Sequence, residues 1–324
     1  MSTNRIKIVA GTAGAALAQK ICTNLSIQPV DAIVGRYNDN EVRVGFKPGE
    51  EGNVRGADVF VVNSIHPPAE NLLETIFLAK TARGSSADRV TLVISYLGYN
   101  RQDRKEAPRT TVSAKTVIDM LRLSGADRAL LVDVHSEATL SAFEPMVVDH
   151  LYASYVAVKR LKDLLDRPFV MAAPDKGAIG RASKFGKYLG GVDLVVFDKE
   201  RKTAGEIDVQ SIRIIGDIEQ RDILFVDDMI DTFGTLEADV RAALDAGAGR
   251  IFVFASHGIF SKNAISRILN CGVTTLIVTD TIAHEPGFIA GAQGKIEICS
   301  VAPLLAGAIR RIHDNESLSP LILK

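Results

Sequence analysis

An α/β fold built on parallel sheets is predicted by two features of this chain. Short apolar runs alternate with helix-length amphipathic segments from one end to the other, and the runs are almost continuously apolar. Strands of that composition are buried on both faces, which calls for helices above and below a mostly parallel sheet. In addition, many of these runs end in a polar or charged residue, as at Val134-His135, Phe197-Asp198, Val226-Asp227 and Ser256-His257. The carboxyl ends of parallel strands are where α/β proteins assemble binding sites.

Taken in order, Ile6–Ala10 opens the chain as a strand, followed by strands at Val59–Val62, Val90–Ile94 and Ala129–Val134. Each is four to six residues of mainly β-branched or aliphatic side chains. Helical spacing of apolar residues marks Asn71–Arg83, Ala114–Ser124, Leu151–Leu165 and Lys176–Leu189. Further strands are expected at Val170–Ala173, Leu194–Phe197, Ile223–Val226, Ile251–Ala255 and Thr275–Val278. A boundary near residue 150 divides the alternation into two comparable units, 1–150 and 151–324, with no linker composition between them.

The 324 residues are 47% hydrophobic and 24% charged, the composition of a globular chain. A formal net charge of −1 supplies no field for nucleic acid or an acidic membrane, and neither partner is expected. No apolar run approaches the ~20 residues of a membrane span, and the N-terminus carries no apolar signal core. Cys22, Cys271 and Cys299 are few and widely spaced, which points to a reduced, cytoplasmic chain without a disulfide framework or zinc site.

The most informative segment is Asp222-Ile-Leu-Phe-Val-Asp-Asp-Met-Ile-Asp-Thr-Phe-Gly-Thr-Leu236. Ile223–Val226 reads as a buried strand that stops at Asp227 and Asp228. A turn follows over Asp231, Thr232, Phe233, Gly234 and Thr235, then a helix from Leu236 to Ala246 closed by Gly247. Backbone N–H groups at such a helix start point at an anion, and threonine hydroxyls add donors. Adjacent carboxylates suit sugar hydroxyls or a metal-bound partner. Together they describe a reader of a phosphorylated pentose. A second segment, Ser95-Tyr-Leu-Gly-Tyr-Asn-Arg-Gln-Asp-Arg-Lys105, sets aromatic rings beside Arg and Lys, a combination that stacks a base and neutralises phosphates.

The first segment resembles the phosphoribosyl diphosphate loop shared by type I phosphoribosyltransferases and ribose-phosphate diphosphokinases. The second resembles a nucleotide-binding signature of the diphosphokinases that the transferases lack. The resemblance covers nearly the whole chain and implies two tandem phosphoribosyltransferase-like domains. It implies transfer of a diphosphoryl group from ATP to ribose 5-phosphate with Mg²⁺. By resemblance, Asp39 and Glu41 in Arg36-Tyr-Asn-Asp-Asn-Glu-Val42 meet the adenine end of ATP from a neighbouring subunit, and Arg101 and Gln102 hold ATP from the other side. A homo-oligomer, dimer or hexamer, is therefore implied. His135 in Val132-Asp-Val-His135 and Asp175 in Ala173-Pro-Asp175 match residues that seat Mg²⁺-ATP. Asp198-Lys-Glu-Arg-Lys-Thr-Ala-Gly-Glu206 matches a loop that closes over the reactants, with Lys199 and Arg201 as its cations. Arg201, Asp227, Asp228 and the turn Asp231–Thr235 are implied to bind ribose 5-phosphate.

Three positions depart from the family pattern. Phe233 stands where a small residue is common, which is compatible with binding if the backbone makes the contacts and the ring faces outward. The stretch from Lys105 to Ser113 is one residue shorter than the common bacterial form, and Lys176 follows Asp175 where a smaller or apolar residue is usual. The competing readings are a type I phosphoribosyltransferase and a catalytically silent regulatory subunit that keeps the fold.

Overall fold

The structure, a computed structural model, describes residues 5–105, 107–199 and 212–323. It separates into two compact units. One takes the residues up to Tyr152 together with Thr281–Ala283 and Val301–Ile322; the other takes Ala153–Asp280, His284–Ser300 and the last two residues. The segment 301–322, which a division at residue 150 assigns to the second half, thus belongs by its contacts to the first.

The first unit contains β1 (Ile6–Ala10), α1 (Ala15–Leu25), β2 (Ala32–Arg36), β3 (Val42–Phe46), β4 (Asp58–Asn63), α2 (Glu70–Gly84), β5 (Arg89–Ile94), α3 (Ser113–Arg122), β6 (Arg128–Val132) and β7 (Val147–Leu151). Its sheet runs β1-β4-β5-β6-β7, every pair parallel. β4 is buried along its whole length, as the unbroken run Asp-Val-Phe-Val-Val-Asn predicts for a strand covered on both faces. β2 and β3 form a separate antiparallel hairpin. Leu151, expected to begin a helix, is the last residue of β7, and the strand expected to run to Val134 ends at Val132. The reason for the early stop is Asp133, whose φ of 38° lies in the left-handed region and breaks the extended chain.

The second unit contains α4 (Ser154–Leu164), β8 (Phe169–Ala173), α5 (Ile179–Tyr188), β9 (Leu194–Lys199), β10 (Ile212–Ile215), β11 (Asp222–Ile230), α6 (Gly234–Asp245), β12 (Ile251–Gly258), α7 (Ala264–Asn270), β13 (Thr275–Thr279), α8 (Pro286–Ala290) and β14 (Ile296–Cys299). The sheet order is β10-β9-β8-β11-β12-β13-β14, parallel except for β10 against β9. β11 lies at its centre. Asp222 anchors the start of that strand, accepting from the Arg250 backbone N at 2.8 Å and from its Nε at 2.9 Å.

α9 (Ala302–His313) completes the first unit. Its apolar face buries Leu304, Leu305, Ile309 and Ile312. A polar clamp fixes its end: Asp58, fully buried, accepts from Arg89 Nε at 3.0 Å and lies 3.0 Å from His313 Nδ1, while Arg89 Nη2 donates to the Ile312 carbonyl at 2.9 Å. Such a charge is tolerated inside a protein because it is paired and hydrogen-bonded on several sides. No described helix is long and apolar enough to cross a membrane.

Candidate active site

β11 does not stop at the carboxylates. It continues through them to Ile230, with Asp227 opposite Ala255 and Met229 opposite His257 on β12. The turn expected at Asp231 therefore follows directly on a strand that carries Asp227 and Asp228 within it. Alternation along the strand puts the two side chains in different surroundings. Asp228 is 7% exposed at its side chain and Asp227 is 36% exposed.

Arg181 on α5 reaches both carboxylates, Nη1 lying 2.5 Å from Asp227 Oδ1 and 2.9 Å from Asp228 Oδ1. The Asp228 backbone N also donates to Asp227 Oδ1 at 2.9 Å. Burial, and then the neighbouring Asp228, push the Asp227 carboxyl well above the ordinary carboxylate range, against the downward pull of Arg181. Two like charges at a strand end are thus held together by one guanidinium.

The turn leads from Asp231 into α6. Asp231 accepts a hydrogen bond from Ser261 Oγ, and its carbonyl accepts from the Ser261 N at 3.1 Å. Gly234 N approaches Thr232 Oγ1 at 3.5 Å, and Thr235 is exposed. The first N–H groups of a helix have no carbonyl one turn back to bind, and they carry the positive end of its dipole. This is the chemistry of a phosphate site. A Cβ on Gly234 would fall 2.5 Å from Arg267 Nη1, so a second guanidinium lies over the turn.

Phe233 corrects the expectation of an outward-facing ring. It is 4% exposed and belongs to the same buried cluster as Leu236, Val240 and Phe260. Its backbone is left-handed, with φ 62° and ψ 4°. The ring fills the core beneath the turn, and the strained backbone is the consequence of turning the chain from strand to helix over a bulky side chain.

Lys199, the last residue of β9, is 6% exposed and binds Asp239 of α6, Nζ to Oδ2 2.6 Å, with Asp239 fully buried. Arg201, its expected partner, lies outside the described residues. Asp175 is exposed and caps the turn before α5 by accepting from Ala178 N at 3.0 Å. Lys176 turns away to Asp198, Nζ to Oδ1 3.1 Å.

In the first unit, Asp39 and Glu41 are exposed at the tip of the β2–β3 hairpin, where Glu41 N donates to Asp39 Oδ1 at 3.1 Å. The hairpin is tied down just below its turn, at Arg36, by Glu74 of α2. Its buried carboxylate accepts from Arg36 Nη1 at 2.8 Å, from Thr12 N at 2.8 Å and from Thr12 Oγ1 at 3.0 Å. Arg101 and Gln102 are both exposed, and Gln102 Oε1 accepts from Ser113 Oγ at the start of α3. Of the two tyrosines in that segment, Tyr96 is buried and Tyr99 is 38% exposed, which leaves the latter as the ring a base can reach. Gly98 is obligatory, since a Cβ there would lie 1.8 Å from the Ile65 carbonyl oxygen. His135 is exposed just beyond left-handed Asp133. Among the described residues no three His, Cys, Asp or Glu side chains form a metal cage. Mg²⁺ is usually held by one or two carboxylates together with water and substrate phosphates, so an exposed Asp175 fits such an ion better than a closed site would.

Three site residues escaped the sequence reading. Arg181 sits in Gly180-Arg-Ala-Ser-Lys-Phe185, which reads as a solvated helix face. Arg267 lies in sequence well beyond the motif it overhangs. Asp239 had a signal: it lies three residues after Leu236 and four before Ala243, on the apolar stripe of α6, where a carboxylate needs a buried partner.

Residues 6–125 match the family model described as the N-terminal domain of ribose phosphate pyrophosphokinase, and residues 201–323 match the phosphoribosyl synthetase-associated domain. A ribose-phosphate pyrophosphokinase of Chlorobaculum tepidum is 40% identical over 318 residues, covering 98% of this chain and 94% of that one. One from Vibrio parahaemolyticus is 40% identical over 319 residues, covering 98% of each. The crystal structure of phosphoribosylpyrophosphate synthetase from Mycobacterium smegmatis superposes with a TM-score of 0.87 at 30% identity, covering 96% of this chain and all of that one.

The carboxylate pair makes stability depend on pH with a definite sign. Asp227 has a native pKa above its unfolded value, so the stability it contributes is present at low pH. That stability is lost as pH rises from about 4, the unfolded value, through the native one. Arg181 holds the native value down. Arg181→Ala should therefore lower the unfolding midpoint much more at about pH 8 than at about pH 5. Equal losses at both pH values would mean that Arg181 acts by packing alone.

Phe233→Gly removes a left-handed strain of about 1–2 kcal/mol but deletes a buried ring whose loss destabilises by about 3–5 kcal/mol. A net destabilisation of about 2–4 kcal/mol is expected from denaturant unfolding. A glycine variant as stable as the wild type would show that the strain dominates.

Proposed function

The chain belongs to the ribose-phosphate pyrophosphokinase family, and from that premise we propose that it makes 5-phosphoribosyl diphosphate and AMP from ribose 5-phosphate and ATP. The observation that carries this reading is the pair Asp227–Asp228, clamped by Arg181 on the strand that runs into the α6 turn. Carboxylates held there accept hydrogen bonds from the sugar diol, while the turn over Asp231–Thr235 takes the 5-phosphate.

The anomeric hydroxyl attacks the β-phosphorus of ATP in line. An O–P bond forms to the sugar, the hydroxyl proton is released to solvent, the bond from Pβ to the bridging oxygen breaks, and its electron pair leaves with AMP. Little covalent chemistry is asked of the protein beyond alignment and cations placed against developing charge. Lys199 and Arg201 are assigned that part; Lys contributes a point charge and Arg a planar fork of donors. Asp175 and His135 are each assigned to Mg²⁺, which would supply positive charge against the phosphates of ATP. Arg101, Gln102, Asp39 and Glu41 are assigned to ATP. The ring of Phe233 lies in the core and not over the turn, so it gives the silent-subunit reading no support. We place the enzyme in the cytoplasm, in keeping with Cys22, Cys271 and Cys299 all being free thiols.

Purified protein supplied with Mg²⁺, ATP and ribose 5-phosphate should release AMP, and no release would sink the proposal. Lys199→Ala should lower kcat by about 10²–10⁴-fold, the range for one major transition-state donor, with a much smaller change in the KM for ATP. Near-normal turnover would remove Lys199 from the mechanism.

The exposed hairpin tip supports an ATP site completed by a second subunit, and hence a homo-oligomer. An Asp39→Ala/Glu41→Ala variant mixed with a Lys199→Ala variant should then regain activity that neither has alone. A monomer that is fully active on dilution would refute the shared site.

A further inference from the structure

The Lys199–Asp239 pair raises a question that the reaction itself does not answer. A cation that must meet a diphosphoryl group cannot do so at 6% exposure while bound at 2.6 Å to a fully buried carboxylate. The pair is also incomplete. Asp239 Oδ1 is buried without a hydrogen-bond partner, so Lys199 is the one charge that compensates this carboxylate among the described residues. A buried carboxylate with one oxygen unsatisfied depends on the partner that remains, so drawing Lys199 away leaves a charge to be compensated and the pair retains the ammonium. Burial does push the Asp239 carboxyl up to about 7 even against the pull of Lys199.

We infer that Asp239 is a positioning residue for Lys199, holding its ammonium in a withdrawn place from which an incoming diphosphate must draw it. This rests on the reading of Lys199 as a catalytic cation. Asp239 itself touches no substrate. It sits on the core-facing side of α6, the helix whose N-terminus carries the phosphate turn, so the helix that receives the sugar phosphate also carries the carboxylate that retains the lysine. The two roles lie five residues apart, Gly234 and Asp239. Turnover in such an arrangement is scaled by the fraction of molecules in which Lys199 is released.

The test compares the full-length wild type with Asp239→Asn, Lys199→Ala and the double variant, by kcat and KM for AMP release and by thermal midpoint. Asparagine keeps the shape of the acceptor and removes the charge that retains the lysine. Asp239→Asn should raise kcat by about three- to tenfold, with the KM for ribose 5-phosphate unchanged within about twofold. In the Lys199→Ala background the same substitution should leave kcat unaltered. It should also restore the thermal midpoint lost on stranding Asp239 without its partner. A merely structural Asp239 would move the midpoints and not kcat.

The inference is overturned if Asp239→Asn leaves kcat unchanged or lowers it, or if it raises kcat equally when Lys199 is absent. Should Asp239→Asn fail to fold, Asp239→Ala carries the same comparison. Near-normal turnover by Lys199→Ala would instead defeat the catalytic reading of Lys199. An inactive Lys199→Ala with no gain from Asp239→Asn defeats only the withdrawal.

Discussion

Two adjacent carboxylates near the end of a central strand are the constraint that the second unit is arranged around. Burial and the neighbouring Asp228 both oppose ionisation of Asp227. The fold answers with Arg181 from the helix that follows β8, one strand away in the sheet. A guanidinium suits the place because it stays charged and its Nη1 carries two N–H groups, one for each carboxylate. Because β11 keeps pairing with β12 through Ile230, the backbone under the carboxylates is held by a ladder of hydrogen bonds and does not yield to their repulsion. Negative charge is thereby concentrated next to a helix start that attracts it.

The same economy governs other charges in the protein. Glu74 is buried and satisfied by Arg36 and Thr12, which pins the β2–β3 hairpin just below its turn while leaving the acidic tip in solvent. Asp58 holds Arg89 and His313 and so fastens α9 to the first unit. In each case a carboxylate inside the structure is surrounded by donors, as burial demands. Asp239 is the exception: among the described residues one of its oxygens has no partner and Lys199 alone balances it. A pair of this kind contributes little net stability, and removal of either member exposes the full penalty of the other. Strain is placed similarly: Phe233 and Asp133 hold left-handed backbone where a strand passes into a loop beside functional side chains.

Much of this was legible in one dimension. The apolar runs located the central strands β4, β5, β8, β11, β12 and β13, because a strand buried on both faces cannot afford polar residues along its middle. The helices α2, α3 and α6 followed from spacing, and the turn Asp231–Thr235 from its residue types. Edge and hairpin strands such as β2, β3, β7 and β14 were not read, since a half-exposed strand mixes polar and apolar residues and carries a weaker pattern. β11 runs past the two aspartates because pairing with β12 outweighs the poor strand propensity of Asp.

The sequence by itself determined the layered α/β class, the family, and which short segments carry polar groups suited to phosphates, sugar and base. Those properties depend on residue type and local order, which the chain carries wherever it is placed. Only the tertiary structure decided that Arg181 clamps Asp227 and Asp228, that Arg267 overhangs the turn Asp231–Thr235, that the ring of Phe233 is core, that 301–322 joins the first unit, and that Lys199 lies bound to Asp239. Each of these depends on which side chains are brought within a few ångströms from distant parts of the chain. Burial, which sets the strength of every charge, exists only once the strands and helices have packed.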